Sequence, residues 1–461
     1  MSTDLPAEMR EPGTATSRVQ HRFALRGKQA RRQTPVGQRA DWRFMIGLIV
    51  VLGAAAIAYL LSWSAVVHHQ SYCWAYPQDI WFTIRTAHWI GWGDLSYVYS
   101  SHTYLVTLPG FPVLLAPVVK LTAALGLSES SPGIWLFRPT AYLVILPYCL
   151  LLSSTALFAF DRLARCLDVP RATRRLLSVA ELAGIFSVVV LWGHPEDVLA
   201  AAFLTWAIVA TFERRLVAAG WFLGAAIAMQ LYVILLVPLF IGIIGRRLAP
   251  SFMLRAALLP GCLLGAVMIP NFHGSLTALL DQPNWPTVDH PTPWVLLAPK
   301  LADGAVAAGP SRIVALVAAV WIGVLGSRHR DDLRYLAWLA AIALTARCVF
   351  ESVVDPYYVI PAIAIAIIVA GTLRPIRLWT AIVAGGGLTV MTYSHPDKWA
   401  YWFEMTGLFV VMLAAARPHR PVATTPEDED RHDFGRLDTA SREGRVDDVV
   451  LAPSSPEVVG V

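Results

Sequence analysis

Apolar residues fall along this chain in blocks long enough to be helices crossing a bilayer, broken by short polar turns. A spanning helix needs about 20 mostly apolar residues, at a rise of about 1.5 Å each. Runs of that length or slightly less cover residues 44–63, 139–160, 177–192, 198–212, 216–229, 231–245, 252–270, 312–326, 334–350, 357–373, 377–393 and 400–416. The pattern predicts an all-α, polytopic transmembrane helical bundle of about twelve spans, with short amphipathic helices in its exterior loops. Residues 216–229 and 231–245 are short enough to predict tilted helices, or helices that stop inside the bilayer. Residues 104–125 are apolar but carry Pro109, Pro112 and Pro117, and read as a re-entrant or interfacial segment.

Charge sharpens this picture. Of 37 Lys/Arg and 32 Asp/Glu, residues 1–43 hold 9 and 4, and residues 417–461 hold 6 and 10. That leaves 40 charged side chains for the 373 residues between, 11%. A soluble domain averages about 25%, so a soluble enzyme is excluded. The chain divides into a basic, disordered cytoplasmic segment (1–43), a membrane domain (44–416) and a disordered acidic cytoplasmic tail (417–461). Arg clusters before residue 44, at 162–175, 214–215, 246–247, 328–334, 374–377 and 417–420 mark one side as cytoplasmic. The remaining acids, histidines and tryptophans then sort to the opposite, exterior loops. This predicts a multi-pass protein of the plasma (inner) membrane whose reactive side chains face the exterior or periplasmic side. The five cysteines, Cys73 among them, form no CxxC pair.

Four stretches carry candidate chemistry. Asp79 and Arg85 lie on a segment whose Ile80, Ile84 and Ala87 recur at helical spacing, as in an amphipathic helix at the membrane surface. Asp79 suits either a helix cap or a general base taking a proton from a sugar or lipid hydroxyl. His194-Pro195-Glu196-Asp197 joins two spans, either as a polar turn opening a helix or as a holder of an acceptor hydroxyl. Gln230, between two short apolar runs, meets either another helix or a ligand. Arg347 and Glu351, four apart, predict an ion pair on one helix face, although an Arg at that depth also suits a phosphate. Asp281, Asp289, His290 and Trp285 share a proline-rich loop whose Trp reads as an interfacial anchor. No GxxxxGK[ST], GxGxxG or GxSxG is present, and the spacing gives no zinc signature. Neither a metal nor a cofactor is expected, and nothing points to nucleic acid.

Taken in order, Asp79-Ile80-Trp81-Phe82, Gly93-Asp94-Leu95, Leu108-Pro109-Gly110-Phe111-Pro112, Gly193-His194, Arg214-Arg215, Ala219-Gly220 and Gly224-Ala225-Ala226 resemble the GT-C superfamily of integral-membrane glycosyltransferases. The bacterial branch using polyprenyl-phosphate mannose, which includes the phosphatidylinositol-mannoside mannosyltransferases, is the most similar. The resemblance spans residues 75–370, and Gln230 stands where that branch has Lys. It implies a polyprenyl-phosphate sugar donor reached from the bilayer and a glycolipid or glycan acceptor among the membrane lipids. Asp79 would be the base of an inverting transfer, Arg347 and then Arg85 the contacts to the leaving phosphate, and His194 and Glu196 the acceptor contacts. Apart from the resemblance, many spans and buried polar residues suit a transporter or a lipid or glycan flippase equally well.

Overall fold

The computed structural model describes residues 41–66, 77–100, 103, 105–127, 140–394 and 397–418. The two terminal segments expected to be disordered, apart from residues 41–43 and 417–418, lie outside the described residues, as do Cys73 and His395.

The described chain is helical almost throughout. Helix α1 is Trp42–Val66, α2 Gln78–Trp92, α3 Gly110–Ala124, α4 Tyr142–Ser153, α5 Thr155–Cys166 and α6 Arg171–Phe186, which runs on as one wider turn over Ser187–Leu191. Next come α7 Pro195–Phe212, α8 Leu216–Met229, α9 Val237–Ile244, α10 Ala249–Met268 and α11 Phe272–Asp281. The last five are α12 Ser311–Arg328, α13 Leu333–Val349, α14 Ile360–Ala370, α15 Pro375–Met391 and α16 Lys398–Ala416. Two short strands, β1 His290–Pro291 and β2 Val353–Val354, pair antiparallel.

Among the described residues, six helical stretches are long and apolar enough to cross a membrane: Trp42–Leu60, Tyr142–Cys166, Pro195–Phe212, Ala249–Met268, Ser311–Arg328 and Lys398–Ala416. Five further apolar helical stretches are shorter, Gly110–Ala124 and Leu231–Ile244 among them. Among the described residues, helices of full spanning length do not by themselves make up the expected twelve.

Small residues let the central helices approach closely. Ala200, Ala201, Ala202 and Ala207 of α7, Ala337, Ala340 and Ala341 of α13, and Ala362 and Ala366 of α14 are all nearly inaccessible. The outer helices instead expose large apolar side chains, such as Val50, Leu254, Val317, Trp321, Val383 and Phe403. Apolar surface on that scale marks a face built to meet something other than water.

Three breaks in the helices build the site. At Gln230 the backbone leaves α8 in an extended conformation (φ −145°, ψ 121°) and re-enters through a tight turn, Leu231–Leu236, before α9. The two short runs, expected as tilted helices or helices that stop inside the bilayer, are joined at this break. At Phe350 the chain leaves α13 and extends into β2. Between α6 and α7, Gly193 takes φ +72°, a left-handed conformation that favours glycine. A Cβ there would come within 2.7 Å of Pro77 Cβ, so the turn sits directly on the start of α2.

Candidate functional site

That close approach brings together two residues 115 positions apart. His194 Nε2 lies 3.0 Å from Asp79 Oδ2, and its Nδ1 lies 2.9 Å from Glu196 Oε1. Asp79 stands in the first turn of α2 and makes no capping hydrogen bond, the helix being preceded by Pro77. Its side chain is half-exposed, whereas those of His194 and Glu196 are almost fully covered. Pro195 opens α7, with Glu196 and Asp197 in its first turn, where a fixed φ and negative charge both favour a helix start.

Gln230 forms the next wall. Its Nε2 donates to Asp197 Oδ2 at 2.9 Å, and Thr107 Oγ1 donates to its Oε1 at 3.3 Å. The extended backbone at the α8 break aims this side chain inward. Thr107 reaches it because α3 starts against the end of α8: a Cβ on Gly110 would lie 2.2 Å from the Ala228 carbonyl oxygen.

Arg347, in the last turn of α13, lies between two rings. Its guanidinium carbon is 4.1 Å from the centroid of Tyr232 and 3.4 Å from that of Tyr358, an arrangement that suits the planar cation. Among the described residues its Nη1 is buried without a hydrogen-bond partner. The expected ion pair with Glu351 does not form. Helix α13 ends at Val349, so Glu351 has left the face that Arg347 occupies. Glu351 instead accepts from Arg312 Nε through both carboxylate oxygens at 3.0 Å, and Arg312 also donates to Gln282.

These groups share one cavity of about 840 Å³, lined by Asp79, His194, Glu196, Gln230, Arg347 and Glu351 together with the rings of Trp81, Trp285, Tyr232, Tyr357 and Tyr358. Arg85 is not among its lining residues; its guanidinium lies 4.8 Å from the centroid of the Trp81 ring. Asp79, His194, Glu196, Gln230, Arg347 and Glu351 thus converge, and Arg85 does not.

Other lining residues include Asp289 and Trp285 of the proline-rich loop, to which sequence reasoning assigned no catalytic role, and Asp355 and Arg312, which it did not single out. Asp289 and Asp355 are joined by the β1–β2 ladder, in which His290 pairs with Val354. Tyr357 donates to Asp355 Oδ2 at 2.9 Å and stacks on His194 with ring centroids 3.6 Å apart. Arg312, at the start of α12, closes the far side. A lone Arg opening an apolar run on the side assigned little positive charge was a signal available for Arg312. Asp289 stood out only as an acid of the proline-rich loop, and its meeting with Asp355 was not legible, since only the ladder joins their loops.

The electrostatics follow from the crowding. Burial alone would lower the His194 pKa, but the Glu196 and Asp79 carboxylates outweigh it and hold the imidazole well above its usual value. Burial first, then Asp355 and Asp79, push the Asp289 carboxyl up to about 9. Burial also raises Asp355, against hydrogen bonds from Tyr358 and Tyr357 that lower it. The cavity therefore has an exposed carboxylate at its rim, an imidazole tied to two acids, and a buried guanidinium with a free N–H. One nitrogen or oxygen from each of His194, Glu196 and Asp197 lies within 4.8 Å of the others, close enough to hold a metal ion. No protein-family model and no curated protein matches this chain.

Proposed function

We propose that this protein is a membrane glycosyltransferase. In this reading it moves a sugar, with mannose the first candidate, from a polyprenyl-phosphate donor to a lipid or glycan acceptor on the exterior face of the plasma membrane. The observation that carries the reading is the shared cavity, in which Asp79 and Arg347, 268 positions apart in the chain, are both lining residues. Ligand pockets typically run to roughly 300–1,000 Å³, and this one combines carboxyl groups with aromatic rings, which suit the hydroxyls and the apolar face of a sugar.

The chemistry assigns each group a task. The Asp79 carboxylate accepts the proton of the acceptor hydroxyl as that oxygen attacks the anomeric carbon from the face opposite the phosphate. The bond from that carbon to the phosphate oxygen breaks, the electron pair leaves with the phosphate, and configuration inverts. Arg347 donates hydrogen bonds to the departing phosphate from its free Nη1–H. His194 fixes the Asp79 carboxylate through Nε2 and is itself held by Glu196 through Nδ1, at the edge of the space the acceptor enters.

The test is transfer from radiolabelled polyprenyl-phosphate mannose by purified protein. Asp79→Asn should reduce turnover by about 10²–10⁴, the usual contribution of a general base; turnover equal to wild type removes Asp79 from the mechanism. A second reading, transport or flipping of a lipid, draws on Glu181, a buried acid lining a separate apolar cavity. Ionisable residues at membrane depth often mark translocation paths. Label that crosses the membrane with no new glycosidic bond would favour it.

A further inference from the structure

The turn His194-Pro195-Glu196-Asp197 carries more ligating atoms than its own hydrogen bonds use. His194 Nδ1 faces Glu196 Oε1 at 2.9 Å and Asp197 Oδ2 at 3.8 Å. Among the described residues, Glu196 Oε2 and Asp197 Oδ1 are buried without any hydrogen-bond partner, in residues 5% and 1% exposed. A buried carboxylate oxygen with nothing to accept from is costly, and here two occur side by side.

Charge points the same way. Asp79, Glu196, Asp289, Glu351 and Asp355 line the cavity, with Asp197 just behind them. Against these acids the wall sets Arg312 and Arg347, and Arg312 is already paired with Glu351. Carboxylates gathered out of water need a counter-charge, and beside Glu196 and Asp197 stand the His194 imidazole and the neutral Gln230 amide.

We propose that His194 Nδ1, Glu196 and Asp197 bind a divalent cation. One imidazole with two carboxylates is a donor set for Mn²⁺ and its borderline-hard neighbours. The atoms already lie within 4.8 Å of one another, as ligands around a single ion must. The surroundings fit as well. A histidine ligand normally donates its other ring N–H to a carboxylate, which sets the tautomer and the ring orientation. His194 Nε2 does so to Asp79 at 3.0 Å, leaving Nδ1 for the ion. Three protein ligands leave coordination positions open toward the cavity that Glu196 lines. The cation site goes beyond the transfer reading and does not depend on it.

The experiment uses the full chain in detergent, stripped with a chelator and titrated with Mn²⁺ under electron paramagnetic resonance. One Mn²⁺ per chain should bind, with magnetic coupling to a single imidazole nitrogen, a signature that needs no variant to fold. Glu196→Gln and Asp197→Asn should each weaken binding by at least about tenfold. Glu404→Gln, on the exposed face of α16, should bind as wild type does. Absence of stoichiometric Mn²⁺ from folded protein, bound Mn²⁺ without nitrogen coupling, or unchanged affinity in both ligand variants overturns the proposal. Because no sugar is present, Mn²⁺ bound by a protein that transfers nothing sinks the transfer reading alone, and active protein that holds no Mn²⁺ sinks the cation alone.

Discussion

The 840 Å³ cavity is walled by acids, amides, two arginines and aromatic rings, whereas a second cavity of about 320 Å³ is walled almost wholly by aliphatic and small residues from α6, α7, α14 and α15. They meet at one residue. Asp197 lines the small cavity, while its Oδ2 accepts from Gln230 in the wall of the large one. In the large cavity several polar side chains pair with one another, Asp79 with His194, Glu351 with Arg312 and Asp355 with Tyr357, while among the described residues Arg347 Nη1 and Glu196 Oε2 are left for a ligand. In the small one, Glu181 Oε2 has no hydrogen-bond partner among the described residues. Polar groups are held in place where the fold supplies complementary ones, and that pre-organisation separates a reaction site from a space between helices. Glu181, set in an almost wholly apolar wall, tests this difference.

The largest effect expected from breaking the comparison is at Arg347. Arg347→Gln keeps an N–H donor on a shorter side chain and removes the charge held between Tyr232 and Tyr358. Transfer of labelled sugar should fall by about 10²–10³, the range for losing one preorganised electrostatic contact. Wild-type turnover in this variant would leave the large cavity without its phosphate contact.

Glu181→Leu examines the other side. It should leave transfer unchanged and raise thermal stability by roughly 1–3 kcal/mol, because it removes a buried polar group that lacks a partner. Scanning calorimetry of both proteins in one detergent measures the gain. Lost stability together with lost lipid flux would make the small cavity the functional one and reverse the comparison.

Much of this contrast was legible along the chain. Asp79, His194 and Glu196 drew notice as polar residues in turns between apolar runs, and Gln230 as a polar residue between two short ones. The Asp79–His194 contact was not legible, since it depends on Gly193 pressing against Pro77 across more than a hundred residues. Arg347 and Glu351 misled for a local reason. Their spacing is helical, but the segment after Val349 is rich in β-branched residues and precedes Pro356, and it pairs with His290–Pro291 instead. Arg85 misled because helical periodicity places Asp79 and Arg85 on one segment without saying which way either points. Glu181 lay inside the apolar run 177–192, where neighbours that are mostly apolar hid a single acid.

The smallest effect separates the titrating groups of the large cavity. Asp289 is pushed from 3.8 up to about 9 by burial, Asp355 and Asp79, with His194 opposing. Folded protein therefore keeps a proton at Asp289 that the unfolded chain releases above about 4. Since the folded state binds more protons, stability falls as pH rises through this window and levels off above about 9. His194, also raised, contributes a fall of the same sign, but only above its usual value of 6.5. Between pH 4 and 6.5 His194 thus adds nothing to the slope, and Asp289 is one of the carboxyls that set it. Asp289→Asn should flatten the thermal midpoint against pH in that interval, and only partly, because Asp355 beside it takes up some of the proton affinity that Asp289 gives up. The same measurement on Glu404→Gln, outside both cavities, should reproduce the wild-type slope. An undiminished slope in Asp289→Asn would mean that the crowding of acids around His194 does not govern how this cavity holds its protons.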